Sequence, residues 1–327
     1  MNAKLFLTLT TAVVFSCYGA LSCPKECSCH ISNKTVEVVC HQPTMDRFPG
    51  ESLPGNTTSL TIQYTNLSAI TGHDLRAIPL LQELHLPGNK LSSLPEDLLM
   101  GLPHLHTLDL TGNQLKELPP RVFHHAPLLN LVLKDNLLTI THADWLPKNS
   151  NLTWLDLSGN SLRKAPVVLL QNLRHLVTLH LSQNQIEELP LGTLSPLSSL
   201  ERLHLDENKL QSLDASAFSH STNITHLFLQ NNKLKSLPAN VFHGLKRLEY
   251  LDISENALRF LAPGTLDTGV SSVELSLNLW HCDAEIEYLW DWLKRKADAA
   301  DVKCASPESR RDRKIVTLTR TELGLTE

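Results

Sequence analysis

Cysteine is the residue type whose spacing in this chain most directly suggests chemistry. Cys17 lies in an apolar N-terminal segment, and six cysteines follow it: Cys23, Cys27, Cys29, Cys40, Cys282 and Cys304. The close spacing of the first three would suit a zinc site. An even number of cysteines in an oxidising compartment instead predicts three disulfides, and we adopt that interpretation. Four cysteines lie near the start and two near the end, so the predicted disulfides would hold the ends of the fold and leave its middle free.

Histidine is the second residue type with evident chemical capacity. His180 and His204 are 24 residues apart, one repeat. Asp156 lies one repeat before His180, and Asp206 lies two residues after His204, so all four should be neighbours on adjacent strands. Such a group could bind zinc or change charge near neutral pH, but solvated imidazoles on a polar face explain it more simply. The sequence contains no G-x-S-x-G, H-E-x-x-H or glycine-rich phosphate loop. We therefore predict no catalytic residue, no metal and no cofactor.

The N-terminal segment indicates where the protein works. Residues 1–22 read as a signal peptide, with Lys4 before an apolar run from Leu5 to Phe15 and small residues before Cys23. No later stretch approaches the roughly 18 apolar residues of a membrane helix, and the polar C-terminus carries no lipid-anchor signal. A sequence pI near 6.3 gives no basic footprint for nucleic acid. We expect a secreted, extracellular protein without a membrane span or a nucleic-acid partner.

Leucine explains the architecture that must position these side chains. The chain has 66 leucines in 327 residues, and they follow the pattern L-x-x-L-x-L-x-x-N-x-L. Its asparagines recur about every 24 residues, within the roughly 20–29-residue period of solenoid repeats. They are Asn89, Asn113, Asn136, Asn160, Asn184, Asn208, Asn232 and Asn256. With a weaker repeat on either side, the first having Thr65 in place of asparagine, the sequence predicts about ten turns.

The pattern predicts an α/β solenoid, a horseshoe with a parallel β-sheet on its concave face. The L-x-L pair would lie on a short strand with both leucines inward, and the asparagine amides would pair backbone groups in the bend after each strand. A further apolar column would fill the outer side: Leu75, Leu99, Phe123, Leu146, Leu170, Leu194, Phe218, Phe242 and Leu266. Because one turn alone leaves its apolar face bare, only stacked turns bury a continuous core.

The open ends of a solenoid need caps, which sets the predicted boundaries. We expect a signal peptide at 1–22, a cysteine-rich N-terminal cap at 23–55, leucine-rich repeats at 56–276 and a C-terminal cap at 277–327. In the last segment Asp283 can cap a helix with Ile286, Leu289, Trp290 and Leu293 on one face, and Cys304 can return to Cys282. We interpret Trp280, Trp290 and Trp292 as packing residues of this cap.

The outward strand positions predict the partner-binding surface. Exposed aromatic and arginine side chains anchor many interfaces, whereas strands also tolerate aromatic residues without any ligand. Because adjacent strands lie roughly 5 Å apart, residues far apart in sequence should form one patch, with Trp154 two turns away from the rest. The candidate partner-binding residues are Trp154, Arg202, His204, His226, Phe228, Tyr250 and Asp252.

Five N-x-[ST] acceptors for N-glycosylation occur in the chain. They are Asn33, Asn56, Asn66, Asn151 and Asn223. Asn56, Asn151 and Asn223 each directly precede the first position of a repeat, so they should form one column at the entry to the strands. Glycans on that column would shield one rim of the sheet from partners.

Together these segments resemble secreted leucine-rich-repeat proteins with cysteine-rich caps, and most closely the plasma glycoproteins among them. The resemblance covers nearly all of the chain after Cys23 and is carried by residues 81–86, 131–136, 160–164 and 200–205. Ala284 and Leu279 depart from the four-cysteine C-terminal cap and its N-P-W motif, which leaves two cysteines there. The N-terminal spacing resembles the family's, which implies Cys23–Cys29 and Cys27–Cys40 pairs.

The resemblance also implies a function. It implies a non-catalytic extracellular binding protein that modulates transforming growth factor-beta receptor signalling, with receptor components and cytochrome c as partners. Two other expectations remain open. One is a stabilising subunit of a secreted enzyme, and the other is a matrix protein that binds collagen.

Overall fold

A single curved sheet runs the length of the molecule in the computed structural model, which describes residues 23–266, 269–296 and 301–325. Twelve strands follow one another in chain order. They are β1 Cys27–Ile31, β2 Val36–Cys40, β3 Ser59–Ile62, β4 Glu83–His85, β5 Thr107–Asp109, β6 Asn130–Val132, β7 Trp154–Asp156, β8 Thr178–His180, β9 Arg202–His204, β10 His226–Phe228, β11 Tyr250–Asp252 and β12 Ser272–Glu274. Strands β2 to β12 pair in parallel. The predicted parallel solenoid is confirmed.

Helical segments are few and short. The α-helices are α1 Gly72–Arg76, α2 Val167–Leu170, α3 Glu287–Lys294 and α4 Arg320–Leu323. Single 3-10 turns lie at Gly50–Ser52, Ala143–Trp145, Ala284–Ile286, Glu308–Arg310 and Ile315–Thr317. In the described residues no helix is long and apolar enough to cross a membrane. The predicted signal peptide, residues 1–22, lies outside the described residues.

The N-terminal cap extends the sheet, a feature that the sequence pattern did not predict. Strand β1 pairs antiparallel with β2, which then joins β3 in parallel. Disulfides link Cys23 to Cys29 and Cys27 to Cys40, so all four N-terminal cysteines are bonded to one another. The hairpin therefore covers the first edge of the parallel sheet and leaves these cysteines no free thiolate for zinc.

The core lies between the sheet and the outer column. The inward leucines of the motif, such as Leu155 and Leu179, are fully buried, and so are Phe123, Phe218 and Phe242 of the outer column. Burying a leucine or phenylalanine side chain contributes about 1.5–3 kcal/mol. Every residue predicted for the outer column is buried, so the leucines of the inward and outer columns form the core of the solenoid.

The repeated asparagines join each turn to the preceding one. Asn184 Oδ1 accepts from the Leu162 backbone N–H at 3.0 Å, and its Nδ2 donates to the Leu157 carbonyl at 2.9 Å. The same two bonds recur at Asn113, Asn136, Asn160, Asn208, Asn232, Asn256 and Asn278. At the first position Asn89 accepts from the Thr65 hydroxyl at 2.6 Å. The predicted amide ladder is therefore present, with Thr65 as its terminal member.

The C-terminal cap closes the other end. Asp283 accepts from the Glu285 backbone N–H and so caps the 3-10 turn that leads into α3, one turn earlier than a cap on the α-helix itself. Trp280, Trp290 and Trp292 are buried, and Trp280 Nε1 donates to the Leu275 carbonyl at 3.0 Å. A disulfide joins Cys282 to Cys304. These tryptophans belong to the packing of the cap.

We predict that Asn184→Ala destabilises the fold by about 1–3 kcal/mol, because it removes the acceptor of the buried Leu162 N–H, whereas the Leu157 carbonyl still accepts from Asn160 Nδ2. The measurement is the urea midpoint of unfolding, followed by circular dichroism. Asn149→Ala, at an exposed asparagine outside the ladder, is the matched control and should change the midpoint little. Equal midpoints for the two variants would contradict the structural role of the amide.

Candidate functional site

Five aromatic rings stand side by side along the concave face and form what we call the aromatic ladder: Trp154, His180, His204, Phe228 and Tyr250. The parallel register places His180, His204 and Phe228 directly beside one another on β8, β9 and β10. Trp154 on β7 and Tyr250 on β11 continue the row from positions two residues earlier on their strands. The ladder therefore crosses five strands without a gap.

The rings of the ladder are in contact. The His180–His204 ring centroids are 4.1 Å apart and the His204–Phe228 centroids 4.2 Å apart, and both pairs are stacked within 18° of parallel. The Trp154–His180 and Phe228–Tyr250 pairs are tilted, at 4.9 and 5.3 Å. Stacked rings cover one another's faces, so the central rings present their edges to the concave side. The ladder is a preformed strip of apolar and aromatic surface.

The two histidines of the ladder favour the neutral form. Burial, with smaller effects from nearby His180, Arg202 and His226, lowers the pKa of His204 to about 3. Burial also lowers the pKa of His180, against the opposing attraction of Asp156 and Asp206. His204 Nδ1 lies 3.8 Å from Asp206 Oδ1, a contact between a neutral imidazole and a carboxyl group. The ladder is therefore uncharged at neutral pH.

The remaining candidate binding residues lie around the ladder. The His226 ring lies 6.1 Å from Tyr250 and 6.5 Å from Phe228, and Arg202 is exposed on β9. Asp252 Oδ2 accepts from the Tyr250 hydroxyl at 3.5 Å, and its Oδ1 accepts from the Ser254 hydroxyl at 2.6 Å. The structure thus brings all seven predicted side chains onto one surface.

Sequence reasoning left His180 out of the candidate binding residues. The sequence analysis set Trp154 two turns away from the patch and considered His180 only with His204, for metal binding or pH sensing. In the structure His180 fills the gap, because it contacts Trp154 on one side and His204 on the other. The signal was available in the outward column, where His180, His204 and Phe228 occupy the same position in three successive repeats.

Neither histidine group on this face is arranged as a metal site. Among the described residues no three His, Cys, Asp or Glu side chains are grouped so as to hold a metal ion. The His180 and His204 rings stack instead of converging their nitrogens on one point. A second group lies on β4 and β5, where the Asp109 carboxylate accepts from the His85 ring and raises the pKa of His85.

A groove of about 780 Å³ lies elsewhere on the molecule. The groove is lined by residues of three successive turns, which follow Asn136, Asn160 and Asn184 of the amide ladder. They include Ile140, Arg163, Lys164, Val168 and Glu188. Its lining contains neither histidine nor cysteine.

Comparison with known proteins agrees with this architecture. The family model described as "Leucine rich repeat" matches overlapping segments that together run from residue 55 to residue 278, more than half of the chain. Phospholipase A2 inhibitor beta from Elaphe climacophora is 31% identical over 94 residues, which are 29% of this chain and 27% of that protein. A phospholipase A2 inhibitor from Gloydius brevicaudus siniticus is 36% identical over 62 residues, 19% of this chain and 18% of that protein.

A third relative has a different overall organisation. The human leucine-rich repeat, immunoglobulin-like domain and transmembrane domain-containing protein 1 is 38% identical over 77 residues, 22% of this chain and 12% of that protein. The matched segments thus span about a quarter or less of each of these curated relatives. The similarity lies in the repeats, and the repeats cover most of this chain: the protein belongs to the leucine-rich repeat family.

Proposed function

We propose that this protein is a non-catalytic extracellular binding protein whose partner docks on the concave face at the aromatic ladder. The observation that carries the proposal is the ladder itself, five rings in contact across five strands. Three-residue strands need no such rings for folding, since their inward leucines supply the core. Large aromatic side chains on an open, rigid surface are typical of interface anchors.

Preorganisation supports this assignment. The rings of the aromatic ladder lie on strands whose positions are set by the amide ladder. A partner would therefore meet rings that are already ordered. A surface that is rigid before binding loses less conformational entropy on association than a flexible one. Trp154 is 38% exposed, so it retains surface that a partner can cover.

The class of partner is proposed from the similar proteins and not from the ladder itself. Two relatives are named as phospholipase A2 inhibitors, which makes a secreted phospholipase A2 the first protein to test. The sequence resemblance to leucine-rich alpha-2-glycoprotein adds transforming growth factor-beta receptor components and cytochrome c. A secreted enzyme with this chain as its stabilising subunit, or a collagen-binding matrix role, would be revealed by the same binding experiment.

We predict that Phe228→Ala combined with Tyr250→Ala abolishes specific capture of the partner, because it removes two adjacent rings of the ladder. The wild-type chain and the variant are used as baits in the native extracellular fluid, and bound proteins are identified by mass spectrometry. Phe260→Ala with Leu191→Ala, which truncates exposed apolar side chains outside the ladder, is the matched control and should capture the wild-type set. If the ladder variant, shown to be folded by its melting curve, captures the same proteins, the proposal fails.

Glycosylation provides an independent test of whether the rim of the sheet at the entry to the strands is shielded from partners. Asn33, Asn56, Asn66 and Asn151 are exposed, whereas Asn223 Nδ2 donates to the Ser198 carbonyl at 2.8 Å. We predict that the four exposed acceptors carry glycans and that Asn223 is modified to a lower extent. The measurement is peptide mapping of the secreted protein after enzymatic deglycosylation, which converts each modified asparagine to aspartate. Exposed Asn149, which is not an acceptor, is the internal control. If Asn56 and Asn151 are unmodified, the prediction that glycans shield this rim is wrong.

The neutral histidines predict a pH dependence of stability. The pKa of His204 falls from 6.5 in the unfolded chain to about 3 in the fold, so the unfolded state binds the extra proton first. The contribution of neutral His204 to the free energy of unfolding is therefore fully present above pH 6.5 and is lost as the pH decreases toward 3. Between pH 7 and pH 5 we expect His204 to contribute a loss of about 1–2 kcal/mol.

His204→Phe should reduce this acid sensitivity, because phenylalanine keeps a ring between His180 and Phe228 but cannot bind a proton. Urea unfolding at pH 5 and pH 7 measures the difference for each protein. His104→Phe, at an exposed histidine outside the ladder, is the matched control and should leave the wild-type difference unchanged. The same acid sensitivity in His204→Phe and wild type would show that the ladder histidine does not carry it.

A further inference from the structure

The charge on the concave face is concentrated around the ladder. We define the acidic half-face as residues 153–159, 177–183, 201–207, 225–231, 249–255 and 271–277, which hold strands β7 to β12 and their flanks. These segments contain one basic residue, Arg202. Their acidic residues are Asp156, Glu201, Asp206, Glu207, Glu249, Asp252, Glu255 and Glu274. The acidic half-face therefore carries a formal charge of -7, counting histidine as neutral.

This concentration is a local feature. The whole chain has a formal charge of -5, so all residues outside the acidic half-face together carry +2. The equivalent segments of β3 to β6, residues 58–64, 82–88, 106–112 and 129–135, contain three acidic residues and one lysine and carry -2. The carboxylates thus accumulate on the half of the sheet that also holds the ladder.

Local hydrogen bonding explains only some of these carboxylates. Asp156 accepts from the Ser158 hydroxyl, Asp206 from the Ser182 hydroxyl and Asp252 from the Ser254 hydroxyl. Glu207 and Glu255 are exposed at the end of their strands, and Glu249 is exposed at the opposite end. Glu207 Oε1 also accepts from Gln183 Nε2 of the neighbouring turn at 3.1 Å. The exposed carboxylates give this part of the surface a negative charge that is complementary to a cationic partner.

One end of the ladder has the geometry of a cation subsite. Phe228 and His226 lie on one side of the Tyr250 ring, and β12 with Glu274 lies on the other. Asp252 is within 3.5 Å of the Tyr250 hydroxyl. Partial burial, followed by the nearby Asp252 and Glu274 carboxylates, raises the pKa of Tyr250. An ammonium or guanidinium group at this end would meet an aromatic ring and two carboxylates together.

We propose that the partner presents a cluster of lysine or arginine side chains to the acidic half-face, with one cation seated at Tyr250, Asp252 and Glu274. This inference rests on the proposed function, because it specifies the chemistry of the partner that docks on the ladder. The apolar ring edges would contact uncharged side chains between the cations. Long-range attraction by the carboxylates would accelerate the encounter, and the ring contacts would hold the complex.

The test uses the full secreted chain and three twelve-residue peptides as probes. The cationic probe alternates lysine with leucine, and the other two carry glutamine or glutamate in place of lysine. Affinity is measured by calorimetry at low and at near-physiological salt. We expect the cationic probe to bind at least about tenfold more tightly than the glutamine probe, and to weaken as salt screens the charges.

Charge-neutralised variants locate the binding. Glu255→Gln with Glu274→Gln should weaken the cationic probe by about tenfold, because two carboxylates of the half-face lose their charge. Glu117→Gln with Glu187→Gln, at exposed positions outside the face, is the matched control and should change the affinity less than about twofold. Asp252 is left unchanged, since Asp252→Asn would create a new N-x-S acceptor with Ser254.

The outcomes separate this inference from the proposed function. Equal binding of the lysine and glutamine probes, or equal affinity in both pairs of glutamate variants, would overturn the cationic partner. The aromatic ladder would then keep its proposed function if Phe228→Ala with Tyr250→Ala still abolished capture of the native partner. Conversely, a charge-dependent probe with unchanged capture by the ladder variant would contradict the proposed function itself.

Discussion

The hydrogen bond between each asparagine and the turn before it is the interaction on which the rest of the structure depends. A chain that bends sharply after every three-residue strand leaves backbone groups without sheet partners, and such groups cannot remain unpaired in a core. The amide of Asn184 supplies both a donor and an acceptor to the preceding turn. Because the same pairing recurs along the solenoid, it sets the register of the turns as well as satisfying their bends.

That register produces the aromatic ladder. Parallel strands lie about 4.8 Å apart, close to the separation at which aromatic rings stack. Placing His180, His204 and Phe228 at the same position of three consecutive repeats therefore brings their rings to centroid distances of 4.1 and 4.2 Å. No separate folding device is needed, since the backbone repeat delivers the stacking. The cost appears in the histidines, whose burial between rings disfavours protonation.

Periodicity made most of this predictable, and its limits are physical. The inward leucines, the outer apolar column and the amide ladder follow from residue type and spacing alone, because each turn must satisfy the same constraints. The pattern also placed Arg202, His226, Phe228 and Tyr250 on one face. It did not reveal that β1 forms a hairpin with β2, since the N-terminal cap does not repeat. Nor could it give the lowered pKa of His204, which depends on how deeply the neighbouring rings bury the imidazole.

The division between inward and outward positions also determines where information about a partner can reside. Inward positions must be apolar for the solenoid to fold, so their identity says nothing about binding. Outward positions are free of that requirement, although some of them, such as Asp156 and Asp252, accept hydrogen bonds from the turn that follows. The segments around β3 to β6 carry a formal charge of -2, whereas those around β7 to β12 combine five contacting rings with eight carboxylates and carry -7. Several of these carboxylates accept hydrogen bonds within the chain, which supports the turns, but their combined negative charge still faces the concave side. That excess of negative charge beside the rings is the feature that a cationic partner would match.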